Sequence, residues 1–226
     1  MIFLDVQYQF DWSVITDHWR LFVGGAWVDV WVAVAGFALA CLIGLVSALL
    51  RISGVPVFSI PSFLYVQVMR GVPLYVMVVW VYFGVANVTG LNFTRFQAMI
   101  LALALTGSGY TTEIFRAGLA AIDRGQMEAA RSIGLNRAST YWSVILPQAL
   151  RIVVPPLGNS FVGLLKGATI MSVIAVPDMV FVANELNVTL FTPFEAFTAV
   201  AIILVVIVSF FSLVVFVLER NLKLAT

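Results

Sequence analysis

Two groups of charged side chains interrupt a chain that is otherwise apolar. The first is a polar segment with Glu128 to Arg131 at its centre, followed by Gly134 and by Val144 to Pro147. Charged side chains cannot rest in hydrocarbon, and the segment contains no catalytic set, so we interpret it as a docking surface for a partner protein. We call residues 122–141 the docking segment. An ordinary amphipathic loop helix is the alternative interpretation.

The docking segment is predicted to form a short helix that lies across the face of the membrane. Asp123 and Gln126 have the spacing of a capping box, in which each side chain accepts a hydrogen bond from a free backbone N–H. Glu128 and Arg131 are three residues apart and can pair on one face. Gly134 suits the left-handed backbone conformation that ends many helices.

The second group consists of three ionisable side chains within apolar stretches, Arg70, Glu113 and Lys166. A charge at such depth is costly, so it faces a polar cavity or another charge. The functional interpretation places all three around a path for a small charged solute. The structural alternative is that Glu113 pairs with Arg116 and that Arg70 bonds the carbonyls of a broken helix. Weaker candidates for the path, which could equally be hydrogen-bonding links between helices, are Gln67, Tyr110, Asn159, Ser160 and Thr169.

The composition excludes an ordinary soluble domain. Of the 226 residues, 62% are hydrophobic and 10% are charged, and the mean hydropathy is +1.06. Soluble domains carry about 25% charged residues. We therefore expect an all-α, polytopic membrane protein with a single domain over residues 1–226. A net charge of +1 without any basic run gives no reason to expect nucleic acid as a partner.

The residues needed for common kinds of catalysis are missing. One cysteine, Cys41, excludes an intrachain disulfide and a multi-cysteine metal site, and the one histidine, His18, lies in the N-terminal segment. No glycine-rich loop of the nucleotide-hydrolysing type is present, so the chain cannot bind and split ATP by itself. We expect no catalytic residue, no metal and no cofactor in this chain.

Apolar stretches predict five spans, at about 20 residues for each crossing. The stretch from Trp142 to Glu185 is too long for one straight crossing and contains Pro155 and Pro156, so we predict a single broken span there, with Lys166 at its break. The other four spans are predicted at Val23 to Leu50, Ser62 to Val85, Phe96 to Ala121 and Phe194 to Leu218.

An odd number of spans places the two ends of the chain on opposite sides of the membrane. Arg51, the basic residues from Arg116 to Arg151, and Arg220 with Lys223 fall on one side, whereas acidic residues predominate on the other. Basic loops stay in the cytoplasm. We therefore predict an N-terminus outside and a cytoplasmic C-terminus and docking segment.

The docking segment also carries a family signature. Glu-Ala-Ala, three residues, Gly, nine residues and then Ile-x-Leu-Pro is the signature of the membrane subunits of bacterial ABC importers, and this chain matches it with Val144 in place of Ile. The chain resembles the polar-amino-acid branch of that family over nearly its whole length. The further matching stretches are Phe10 to Trp12, Arg70 to Leu74, Tyr110 to Gly118, Gly125-Gln126, Leu146 to Ala149, Leu165-Lys166 and Ser172 to Ile174.

The resemblance implies a five-span permease with a broken span and a cytoplasmic coupling helix, in the inner membrane of a bacterium. Its implied partners are a second permease, identical or homologous, two ATPases that bind ATP and Mg, an extracytoplasmic solute-binding protein, an amino acid and the lipid bilayer. A membrane channel or assembly protein outside the ABC class is the alternative. The residues expected to couple to the ATPase are Gln126, Glu128, Ala129, Ala130, Arg131 and Gly134.

The chain departs from the branch at the deep polar positions. Where the branch usually shows Lys-Asp-Thr-Ser-Leu, this chain reads Lys166-Gly167-Ala168-Thr169-Ile170, and the usual Ala-Tyr is Gly109-Tyr110. With Arg70 and Lys166 cationic and the acid missing, a solute bearing a carboxylate is favoured over arginine, lysine or histidine. Glu113 could supply the missing negative charge, and a non-identical partner could hold the main pocket.

Overall fold

The computed structural model describes residues 8–222, which contain helices and no strands. One position discussed above, Lys223, lies outside the described residues. We number the helices in chain order as α1 (Ser13–Ile52), α2 (Pro56–Gly71), α3 (Leu74–Thr89), α4 (Arg95–Ala120), α5 (Arg124–Ser132), α6 (Arg137–Ile174), α7 (Met179–Leu190) and α8 (Pro193–Leu222). Helix α5 is the helix of the docking segment.

Four of the described helices, α1, α4, α6 and α8, are long and apolar enough to cross a membrane. Helices α2 and α3 pass the same test together, although they meet at an angle of 104°. Counting this bent pair as one span gives five, which agrees with the number expected from the sequence. Helix α1 has 40 residues and is therefore about 60 Å long, twice the thickness of the hydrocarbon layer.

The predicted break at Lys166 is wrong, because the stretch from Trp142 to Glu185 is interrupted at 175–178, between α6 and α7. Helix α6 is helical throughout, with Pro155 and Pro156 inside it, and the chain leaves it only at Ala175, whose φ is +57°. Neighbouring helices and local π or 3₁₀ turns can satisfy the backbone groups that a proline frees in a membrane helix. Such turns occur here at 141–145 and 169–174. Lys166 therefore lies within a continuous helix.

A further break, which the sequence did not predict, lies in the second span. Val72 has an extended backbone (φ −83°, ψ 124°) and precedes Pro73, because the proline ring disfavours helical backbone in the residue before it. Helix α2 ends at Gly71 and α3 begins at Leu74, so Arg70 lies at the bend. The cationic residue at the break is thus Arg70 rather than Lys166.

Small residues allow α1 and α4 to approach closely along the centre of the fold. A Cβ atom on Gly44 would lie 2.0 Å from Thr111 Oγ1, and one on Gly107 would lie 2.9 Å from the Ala40 side chain. The buried Thr111 hydroxyl donates a hydrogen bond to the Ala40 carbonyl oxygen at 2.8 Å. Packing of small residues and hydrogen bonds between helices are the main forces that join helices within a bilayer.

A second buried cluster joins the N-terminal half of α1 to α7 and α8. Asp29 is fully buried, and its Oδ2 accepts a hydrogen bond from the Met179 backbone N–H at 3.3 Å. Gly25 packs directly on the Asp178–Met179 peptide, where a Cβ atom would lie 2.7 Å away. Asp29 therefore joins α1 to the beginning of α7.

Candidate functional site

The docking segment has the predicted short helix, held at both ends. Asp123 Oδ1 accepts a hydrogen bond from the Gly125 N–H at 2.6 Å. Gln126 does not complete a capping box, because its Oε1 accepts instead from Gln148 Nε2 at 3.2 Å, which joins α5 to α6. Gly134 has φ +88°, which confirms the predicted left-handed end of the helix.

One face of helix α5 remains open. Ala130 is buried against the rest of the chain, whereas Glu128, Ala129 and Arg131 are exposed. In the described residues Glu128 and Arg131 form no ion pair, so the predicted pairing is wrong and both charges are available to another molecule. Ala129 adds little volume to this face. The helix is therefore narrow enough there to fit into a groove on another protein.

Arg70 and Tyr110 meet at the bend of the second span. The Arg70 guanidinium carbon lies 5.3 Å from the centre of the Tyr110 ring, within the range of a cation–π contact. Next to Tyr110, a Cβ atom on Gly109 would lie 2.8 Å from Arg70 Cγ. Glycine in place of the branch's usual alanine is thus what this position of Arg70 requires.

Helix α6 brings Lys166 to the same bend. A Cβ atom on Gly167 would lie 2.7 Å from Leu74 Cδ2, in the first residue of α3. An aspartate at position 167, as in the branch, would require the Leu74 methyl group to move. The Thr169 hydroxyl donates a hydrogen bond to the Lys166 carbonyl oxygen at 2.9 Å, so this hydroxyl is engaged within α6.

The deep polar residues share an uncovered side of the chain. Arg70, Gln67 and Tyr110 are exposed, and the surface of α6 shows an exposed stripe at spacings of three and four residues. Such spacing defines one face of a helix. The stripe consists of Ile152, Pro156, Asn159, Gly163 and Lys166, with Ser160 and Thr169 half-buried beside it.

Glu113 lies one helical turn beyond Tyr110 on α4, where it forms an ion cluster. Glu113 Oε2 accepts from Arg116 Nη2 at 2.8 Å and from Arg116 Nε at 2.9 Å, which confirms the predicted pairing. Glu113 Oε1 pairs with Arg51 Nη1, at the end of α1. The Arg51 guanidinium also lies 4.9 Å from the Phe63 ring on α2. The single carboxylate is thus shared by two arginines, and its place in the solute path stays a prediction.

Sequence reasoning missed the pairing of Arg51 with Glu113. The two residues are 62 positions apart, and Arg51 alone suggests only the basic end of a span. No group of three or more His, Cys, Asp or Glu side chains in residues 8–222 is placed to hold a metal ion.

The sequence model of one family, described as "Binding-protein-dependent transport system inner membrane component", matches residues 27–224. The chain belongs to this family. It is 32% identical to the probable glutamine ABC transporter permease protein GlnM of Bacillus subtilis, over 93% of this chain and 97% of that one. It is also 32% identical to the glutamine transport system permease protein GlnP of Escherichia coli, over 96% and 99% of the two chains.

Solved structures agree with the family. A chain from the crystal structure of an amino acid ABC transporter with histidines superposes with a TM-score of 0.87 at 33% identity, covering 95% of this chain and 100% of that one. A chain of the inward-facing MetNI methionine ABC transporter gives a TM-score of 0.77 at 18% identity, over 92% and 99% of the chains. The second likeness concerns the fold alone. The chain is therefore a membrane-spanning permease subunit with the fold of the ABC importers.

Proposed function

We propose that this chain forms one half of the translocation path of an ATP-driven importer of polar amino acids. The observation that carries the proposal is the exposed side of the fold at the bend of the second span, where Arg70 and Lys166 lie on otherwise apolar helices. A cation on a lipid-facing surface at that depth is costly. This side is therefore covered by another protein subunit, and a water-filled path runs between that subunit and this chain.

A second permease, identical or homologous, is the partner that fits this side. The α6 stripe includes Gly163, which has no atom of this chain within 4 Å of the place where a Cβ would stand. A small residue on an uncovered helix face allows a partner helix to approach closely. Asn159 and Lys166 on the same stripe then line the space between the subunits.

The importer has two ATPase subunits, and one of them engages the open face of helix α5 in this chain. They bind ATP and Mg and hydrolyse the nucleotide, while Glu128, Ala129 and Arg131 receive their motion. Because α5 is joined to α6 through Gln126 and Gln148, its displacement moves α6 and with it Lys166. The chain transmits the motion and performs no hydrolysis, and an extracytoplasmic solute-binding protein delivers the amino acid from the other side.

The membrane is the bacterial inner membrane, with the N-terminus outside and the C-terminus in the cytoplasm. The Arg51, Glu113 and Arg116 cluster lies at the end of the fold that carries α5. At the other end, the Asp11 N–H donates to Glu195 Oε1 at 3.1 Å. The excess of basic residues around α5 supports a cytoplasmic location for that end.

The solute bears a carboxylate and is neutral or acidic overall. Since Glu113 is engaged by Arg51 and Arg116, the charges left for a solute at the bend are those of Arg70 and Lys166. A guanidinium offers a carboxylate two parallel hydrogen bonds. The names of the relatives, glutamine permeases, support the same class.

The test is ATP hydrolysis by the reconstituted complex, with its binding protein, in the presence of glutamate, glutamine or arginine. We expect stimulation by glutamine or glutamate that Lys166→Ala reduces. Stimulation by arginine alone, abolished by Glu113→Gln and unchanged by Lys166→Ala, would show that the polarity of the pocket is reversed. A conductance that needs no ATP would contradict the importer itself and favour the channel alternative.

A further inference from the structure

A groove of about 1040 Å³ lies between the docking segment and the ends of the spans. Its walls come from the last turns of α1 and α4, from one side of α5 and from the first turns of α6. Most of the lining is apolar, with Leu49, Leu119, Ile145 and Leu146 among the residues that form it. Pockets that bind drug-sized ligands measure about 300–1,000 Å³, so the groove can hold a ligand of substantial size.

One wall of the groove continues onto an exposed apolar face of α1. Leu45, Leu49 and Ile52 are 39%, 54% and 47% exposed and follow one face of α1. Leu42, one turn further into the span, is 65% exposed and extends the same face. In a membrane, hydrocarbon covers this face, and an acyl chain can enter the groove sideways without leaving the bilayer. A water-soluble subunit cannot cover a surface that lies within the hydrocarbon.

The opposite rim of the groove is charged. Arg124 and Arg131 line it, and Arg137 lines an adjoining cavity of about 200 Å³ that shares Arg131. In the described residues none of these three arginines takes part in an ion pair. The acidic groups on the rim are Asp123, whose Oδ1 is engaged by the Gly125 N–H, and Glu128. The groove itself is lined by two arginines and two carboxylates, and with Arg137 the groove and the adjoining cavity together carry three guanidinium groups against two carboxylates.

Two aromatic side chains mark the depth of the groove. Tyr141 and Trp142 line it and are 52% and 71% exposed. Tyrosine and tryptophan are enriched at the level of the lipid headgroups, where the ring meets hydrocarbon and the polar atom meets water. The groove thus spans the boundary between acyl chains and headgroups, on the side of the membrane that carries α5.

We propose that this groove binds an anionic phospholipid. One acyl chain lies along Leu45 and Leu49, and the phosphate accepts hydrogen bonds from Arg124 and Arg137. Basic pockets between membrane helices on the cytoplasmic side recognise anionic headgroups in this way. The bound lipid fills the space between α1 and α5 and supports the docking segment from the membrane side, while the exposed face of α5 stays open for the ATPase.

The first test is lipid retention by the purified permease complex, measured by native mass spectrometry after equal exposure to phosphatidylglycerol and phosphatidylcholine. We expect preferential retention of phosphatidylglycerol, weakened about fivefold for each arginine removed in Arg124→Gln and Arg137→Gln. Arg151→Gln is the matched control, because Arg151 is exposed on α6 and does not line the groove. Equal retention of the two lipids, or an equal loss in Arg151→Gln, would overturn the proposal.

The second test uses the native protein, so that it does not depend on the folding of an arginine variant. Phosphatidylglycerol brominated on its acyl chains should quench tryptophan fluorescence more than brominated phosphatidylcholine, and Trp142→Phe should remove the difference. Equal quenching by both lipids would refute the site. Displacement of the lipid by millimolar inorganic phosphate would identify a free anion as the ligand. Displacement by added ATPase subunits would identify the groove as part of their docking surface. Either result would overturn the proposal.

Discussion

Replacing Glu113 by glutamine tests whether this residue holds the fold together or contacts the solute. The change removes the single carboxylate shared by Arg51 and Arg116, and leaves two guanidinium groups facing a neutral amide. The side chains of Glu113, Arg51 and Arg116 are 23%, 20% and 39% exposed, respectively. They are therefore more buried than a surface ion pair, though they still reach water.

The exposure sets the size of the expected effect. A fully exposed ion pair contributes about 0.2–1 kcal/mol, and removing one partner of a buried pair costs about 3–5 kcal/mol. For groups between these limits we expect Glu113→Gln to lower the free energy of unfolding by about 2 kcal/mol. For a chain of this length that corresponds to a fall in Tm of about 4–8 °C.

The assay is thermal unfolding of the purified chain in detergent, repeated for Arg51→Gln, for the double variant and for Glu185→Gln. The double variant should lose less than the sum of the two single changes, because both act on one contact. Glu185 is exposed on α7, so its change should cost less than about 0.5 kcal/mol. An unchanged Tm in Glu113→Gln, together with a change in which amino acid stimulates ATP hydrolysis, would refute the structural role and return Glu113 to the solute path.

Three further results are expected from the same fold. Glu128→Lys should abolish transport without changing assembly of the spans, because it reverses a charge on the open face of α5. The control variant Glu185→Lys, on α7, should transport normally. Normal transport by both variants would contradict the docking assignment. Gly44→Ala should lower the free energy of unfolding by about 1–3 kcal/mol, since its Cβ would lie 2.0 Å from Thr111 Oγ1. The control is thermal unfolding of Gly24→Ala, because Gly24 has no such neighbour. Equal Tm values for the two variants would refute the close packing of α1 on α4. Reporters fused to the two chain ends should appear on opposite sides of the membrane, whereas finding both on one side would require an even number of spans.

The number and type of the elements could be predicted from the sequence because they depend on local properties. Long apolar stretches predict membrane helices whatever their neighbours are, and Gly134 can adopt the left-handed backbone that ends α5. The contact between Arg51 and Glu113 depends on how α1 lies against α4. Neither residue carries a local signal of the other, and the contact follows from close packing at glycines such as Gly44 and Gly107.

The position of the break shows where local reasoning reaches its limit. Pro155 and Pro156 carry a strong breaking signal and lie inside a continuous helix, whereas the single Pro73 produces a bend of 104°. A proline frees backbone groups, and whether the helix then breaks depends on what its neighbours offer. At the bend, Arg70 lies against Gly109, and Leu74 lies against Gly167. Both glycines that depart from the branch's pattern thus lie at close contacts of this bend.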